Sequence, residues 1–144
     1  MQPYPHVYTV QASAQPDGDA PVSSPGLPTL TTAPPAEFGG PGDRWSPETL
    51  FCAAVADCFL LSFRAVARAS KFDWLALECR VDGTLERVEK TTRFTEVLTV
   101  ATLRVPAGAN RDRAVRLMEK AEKVCLISNS LVCERRLEAT VVED

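Results

Sequence analysis

The sequence predicts an α+β domain with an antiparallel sheet, and three observations carry that reading. One apolar stretch has a helix start and the length of several turns. Two long stretches after it alternate apolar and polar residues at the period of a strand, and an amphipathic helix and a last alternating stretch follow them. With 144 residues, 45% of them apolar, the chain suits one domain, residues 1–144, with a real core.

The early strands are short. Val7 to Ala14 alternates well enough for a strand, and Gln15-Pro16-Asp17-Gly18-Asp19 is a turn, since proline presets φ and glycine accepts positive φ. Leu27 to Ala33 reads as another strand, but prolines 21, 25, 28, 34 and 35 remove ladder donors and push these segments towards sheet edges. Gly39-Gly40-Pro41-Gly42 leads into the helix.

Ser46 is an N-cap, Pro47 suits the first helical position, and Glu48 complements the helix dipole. From Leu50 to Phe63 only Asp57 and Ser62 interrupt the apolar run, so the helix is expected to be buried on all sides, with Cys58 at its middle. One small sheet and one short helix cannot cover it. A partner subunit is expected to do so, by default in a symmetric dimer.

Leu75 to Val88 reads as one long strand with Cys79 on its inner face. Asp82-Gly83 is either a tight turn or a bulge within it. Phe94 to Val105 is its antiparallel partner, with the turn around Lys90 to Thr92. Asn110 caps a helix whose apolar face, Ala114, Leu117, Met118 and Ala121, ends at Cys125. Arg111, Arg113, Arg116, Lys120 and Lys123 read as its solvated side. Leu137, Ala139 and Val141 mark a final strand.

A net charge of −3 argues against nucleic acid as a partner. The N-terminus lacks a signal-peptide pattern, and the longest apolar run is read as too short for a bilayer, so a cytoplasmic protein without membrane contact is expected. Five cysteines without C-x-x-C spacing do not make a disulfide framework. With His6 the only histidine, no metal site is expected, and free or redox-active thiols fit best. Taken singly, each cysteine is a small buried hydrophobe. Cys58 and Cys125 stand apart because both lie on the large apolar surfaces, which have each other to pack against.

Phe38-Gly39-Gly40-Pro41-Gly42, Ser46-Pro47-Glu48-Thr49-Leu50, Ala56-Asp57-Cys58-Phe59 and Ala121 to Leu131 around Cys125 resemble the OsmC/Ohr family, from osmotically inducible and organic-hydroperoxide-resistance proteins. The resemblance spans nearly the whole chain. It implies an OsmC-like fold, with antiparallel sheets packed around the long central helix in an intertwined homodimer. It also implies a thiol peroxidase acting on organic hydroperoxides or hydrogen peroxide, with no resident cofactor. By the match Cys58 is the peroxidatic thiol, Cys125 the resolving thiol and Glu48 the acidic partner. An external dithiol, a lipoylated protein in the Ohr branch, would reopen the disulfide. A non-enzymatic, dimeric ligand-binding or stress protein of the same fold is the alternative.

A peroxidatic thiolate needs a nearby cation or donor, because burial raises a thiol pKa. The Ohr branch has an arginine in the early hairpin, but here that turn holds Asp17-Gly18-Asp19 and no arginine precedes Arg44. Arg44 is then either the partner of Glu48 or the thiolate, or a solvated loop residue. Asp57, beside Cys58, adds a charge opposed to the thiolate where it faces it. Glu48 and Cys58 lie ten positions apart, about 15 Å along one helix axis. Within one chain they cannot touch, so a shared site needs Glu48 from the other subunit.

Overall fold

The computed structural model describes all 144 residues as two compact units, Met1–Leu50 and Phe51–Asp144. The first holds a three-stranded antiparallel sheet of β1 (Gln11–Ala12), β2 (Ala20–Ser23) and β3 (Leu30–Thr32), in that order. Of the stretch read as the first strand only two residues pair, and Val7, Tyr8 and Val10 stay exposed. Proline does not drive β2 to an edge: it is the central strand. Pro21 has no N–H to give, but its carbonyl accepts from the Ser13 amide. After a 3-10 turn at Ala36–Phe38, Gly40 packs so tightly that an added Cβ would lie 1.7 Å from the Pro34 carbonyl oxygen. That contact fixes a glycine in the motif before the helix.

Helix α1 (Pro47–Ala69) starts as the residues dictate. Ser46 Oγ accepts from the Thr49 amide at 3.1 Å, and the Ser46 amide donates to Thr49 Oγ1 at 2.9 Å, a reciprocal cap. At 23 residues, with an 18-residue window of mean hydropathy 1.9, α1 is long and apolar enough to cross a membrane, which corrects the reading of a run too short. What makes it a core helix is its packing. Val55, Phe59, Phe63, Val66 and Ala67 are buried at helical spacing. Within the second unit the helix is not buried on every side as expected: on the face away from these residues Leu61 is 48% exposed.

The second unit carries a sheet in the order β4 (Ala76–Val88), β5 (Thr91–Val105), β6 (Glu134–Glu143). The β4–β5 hairpin turns at Glu89 and Lys90, both at positive φ, with a register shift between Thr84 and Leu85. The strand therefore continues through Asp82-Gly83, with the bulge just after it. An added Cβ on Gly83 would come within 2.7 Å of Cys52 Sγ and 2.9 Å of the Phe94 ring.

The last strand differs from the antiparallel expectation, since β6 runs parallel to β5. Helix α2 (Arg111–Val124) carries the chain back along the sheet, so β6 starts at the same end as β5. Asn110 caps α2 by accepting from the Arg113 amide. One sheet face lines up Leu77 with Leu103, Cys79 with Ala101, and Val141 with Leu103 from the other side. It joins Phe59 and Phe63 of α1 and Leu117 and Met118 of α2 in one core. Each such large apolar side chain contributes roughly 1.5–3 kcal/mol by burial. Two residues read as solvated are anchors instead. Arg111 donates to the Val141 carbonyl at 2.9 Å, while Arg113 reaches the Ser70 carbonyl and lies over the Phe72 ring.

Candidate active site

Cys58 lies midway along α1, half-buried, with Sγ 3.8 Å from the hydroxyl of Ser62 one turn on. The two are neighbours because residues four apart share a helix face. Opposite stands the break after α2, where Cys125 takes an extended backbone and a four-residue helix, α3 (Leu126–Asn129), begins. Cys125 is buried, more deeply than Cys58, and the apolar face of α2 delivers it there.

Burial pushes the Cys58 thiol up, but the Ile127 amide, the Cys125 thiol, the Ser62 hydroxyl and the Leu126 amide all favour its anion. Together they hold it below its ordinary thiol value. Cys125 moves the other way. Burial raises it, Ser128 lowers it through hydroxyl and amide, and the neighbouring Cys58 raises it again, for a net shift upward. The pair is asymmetric: Cys58 is the thiol that ionises, and Cys125 keeps its proton and donates it towards Cys58.

The remaining cysteines are set against ionisation. Burial raises Cys52, with the Gly83 amide opposing and Asp82 adding to the rise. Burial and the Asp57 charge raise Cys79, whose thiol donates to the Ala56 carbonyl. Asp57 is exposed, and its charge is felt at Cys79 rather than among the groups acting on Cys58. Cys133 is buried, and all five thiols are free. No three His, Cys, Asp or Glu side chains converge as a metal site.

Arg44 and Glu48 belong to the first unit. The Arg44 Nε meets Asp19 Oδ2 at 3.3 Å and its Nη1 meets Asp43 Oδ2 at 3.4 Å, in ion pairs near the surface. Thus the hairpin turn that lacks an arginine supplies an aspartate that binds one. Glu48 has no such partner: its Oε1 is buried with no hydrogen bond. It borders an apolar cavity of about 400 Å³ with Phe38, Pro34, Pro35 and Pro47. Cys58 and Cys125 are therefore brought together, while Arg44 is bound to two aspartates. Ser62, Ser128 and the Leu126 and Ile127 amides were not singled out by the sequence as parts of the site. The serine interrupting the apolar run was the available signal for Ser62, whereas backbone amides carry no residue signature.

A two-sheet α+β fold, with one thiol on the long helix facing a second thiol after α2, defines the class of protein. The family model for OsmC-like protein matches residues 40–140, and the chain belongs to that family. It is 31% identical over 126 residues to an organic hydroperoxide resistance protein of Xanthomonas axonopodis pv. citri, covering 86% of this chain and 87% of that one. An organic hydroperoxide resistance protein OsmC of Legionella pneumophila superposes with TM-score 0.75 at 28% identity, over 94% of this chain and 96% of that one. An OsmC-like protein of unknown function from Vibrio cholerae gives TM-score 0.85 over 93% of this chain and 99% of that one. At 14% identity, that likeness speaks to the fold alone. The chain spans about half the length, 51%, of an uncharacterised relative from Methanocaldococcus jannaschii, to which it is 28% identical over 99 residues, 67% of this chain.

Proposed function

We propose that the protein is a thiol peroxidase that reduces organic hydroperoxides or hydrogen peroxide, with Cys58 as the peroxidatic thiol and Cys125 as the resolving thiol. The observation that carries this reading is the asymmetry of the pair, one thiol held down and its neighbour held up. Family membership and the relatives named for hydroperoxide resistance support it.

The Cys58 thiolate attacks the distal peroxide oxygen and the O–O bond breaks. Sulfur is oxidised by two electrons to a sulfenic acid, and the leaving alkoxide, or hydroxide from hydrogen peroxide, takes a proton and departs as alcohol or water. The Cys125 sulfur then attacks the sulfenic sulfur, water leaves, and a Cys58–Cys125 disulfide forms. An external dithiol, oxidised to its own disulfide, returns both thiols. Donors rather than a cation sustain the thiolate here: two amides, a hydroxyl and the Cys125 thiol.

The unit of function is a homodimer. Leu61, exposed on the side of α1 away from its core with Ala54 and Ala65 exposed beside it, supports this, since a partner surface would cover it. Glu48 then acts in the site of the other subunit, and its unpaired buried oxygen supports a partner from outside its own chain. Arg44 ties the hairpin turn, through Asp19, to the loop before α1 rather than acting on the thiolate. No resident cofactor is needed, and a cytoplasmic dithiol, such as a lipoylated protein, is the reductant.

The test is turnover of cumene hydroperoxide and of hydrogen peroxide with dihydrolipoamide or reduced thioredoxin as electron donor. Turnover that vanishes in Cys58→Ser supports the peroxidase. Absence of turnover with every pair, in folded and fully reduced protein, favours the non-enzymatic binding protein, for which the apolar cavity beside Glu48 is the available ligand space.

A further inference from the structure

The turn that presents Cys125 is short, closed within itself by the Asn129, Ser130 and Leu131 amides on the Cys125, Ile127 and Ser128 carbonyls. A four-residue helix is far too short to sustain itself, and Val124 and Leu126, on either side of Cys125, are 48% and 67% exposed. The Cys125 amide reaches the Glu122 carbonyl only at 3.4 Å. Yet this turn supplies three of the groups that favour the Cys58 anion: the Leu126 and Ile127 amides and the Cys125 thiol.

One side chain closes it from both ends. Arg135, at the start of β6, donates from Nε to Glu122 Oε1 at 2.8 Å and from Nη2 to the Glu122 carbonyl, three residues before Cys125. From Nη1 it donates to Asn129 Oδ1 at 2.8 Å, four residues after it. The Arg135 and Glu122 side chains are 24% and 22% exposed, so this charged pair is shielded more than the neighbouring surface pair of Arg136 and Glu96. Position 135 is itself fixed by the parallel register of β6 on β5, opposite Val97. The guanidinium fork is what the geometry uses, because a lysine ammonium is a single point charge and cannot span both anchors.

We infer that Arg135 is the positioning residue of this site, holding the Cys125 turn at Glu122 and Asn129 so that its amides and its thiol face Cys58. The inference deepens the peroxidase reading and rests on it for the resolving step only. The contact that favours the Cys58 anion does not depend on any peroxide.

Two readouts therefore separate the claims. Iodoacetamide labelling of the reduced, full-length protein across pH, with each cysteine quantified by peptide mass spectrometry, follows ionisation of Cys58 without turnover. In Arg135→Ala, Arg135→Lys and Asn129→Ala, the Cys58 labelling curve moves to higher pH, with a several-fold loss of labelling at neutral pH. Arg136→Ala leaves it in place. Asn129 is exposed, so its variant is expected to fold even where loss of Arg135 disturbs the fold. In the same variants one equivalent of cumene hydroperoxide gives less Cys58–Cys125 disulfide and more dimedone-trapped Cys58 sulfenic acid than in the parent. Unmoved labelling curves in folded Asn129→Ala and Arg135→Lys overturn the inference. Moved curves in a protein whose parent does not react with the peroxide leave the clamp standing and remove the peroxidase reading.

Discussion

Cys58 Sγ and Ser62 Oγ stand 3.8 Å apart on one face of α1. A hydroxyl can donate or accept, but beside a thiolate it must donate, so the pair favours ionisation of Cys58. In Ser62→Ala that donor is lost, and the Cys58 iodoacetamide curve moves to higher pH, whereas Ser62→Thr retains it.

The sign of the thiol shifts sets the order of labelling. A thiol whose pKa is held down reaches its thiolate at a lower pH than one whose pKa is raised. Cys58 should label first as pH rises, with Cys125, Cys52 and Cys79 later. Peptide mapping after brief alkylation at neutral pH checks this, and preferential labelling of Cys125 would contradict it.

If Glu48 serves the site of the other subunit, two defective chains should complement. Co-expressed Cys58→Ser and Glu48→Ala subunits form heterodimers in which one site is intact, so a statistical mixture regains about a quarter of the parent turnover. Each variant alone is nearly inactive. No recovery in verified heterodimers would place Glu48 and Cys58 outside a shared site.

The uncovered face of α1 makes Leu61 a test of assembly. Leu61→Asp should shift the protein from dimer to monomer in analytical ultracentrifugation and abolish turnover, because a charge cannot be buried unpaired at that surface. A monomeric parent would remove the premise.

Gly83 tests the packing of β4 against α1. Gly83→Ala drives a methyl into Cys52 Sγ and the Phe94 ring and should cost about 1–3 kcal/mol in urea unfolding. Adding Cys52→Ala should restore part of the loss, by removing one of the two obstructing groups.

Much of the fold was legible because its signals are local. The Ser46 cap, the Asn110 cap and the alternation of β4 and β5 need only neighbouring residues. The parallel placement of β6 was not, since Leu137, Ala139 and Val141 alternate identically in either direction and only the path of α2 decides. The two thiols could be paired from the helix faces that carry them. The groups that tune them could not, because the Leu126 and Ile127 amides act through the backbone and Arg135 reads in sequence as one more surface charge. Arg44 was the reverse case: an attractive cation in sequence, bound in the fold to Asp19 and Asp43.

The central claim is that Cys58 and Cys125 are a redox pair. Reduced protein treated with one equivalent of cumene hydroperoxide, quenched within seconds and mapped by mass spectrometry, tests it most directly. The account predicts rapid formation of a Cys58–Cys125 disulfide, with Cys52, Cys79 and Cys133 still reduced. Intact thiols at both positions, or a disulfide that bypasses Cys58, would contradict it.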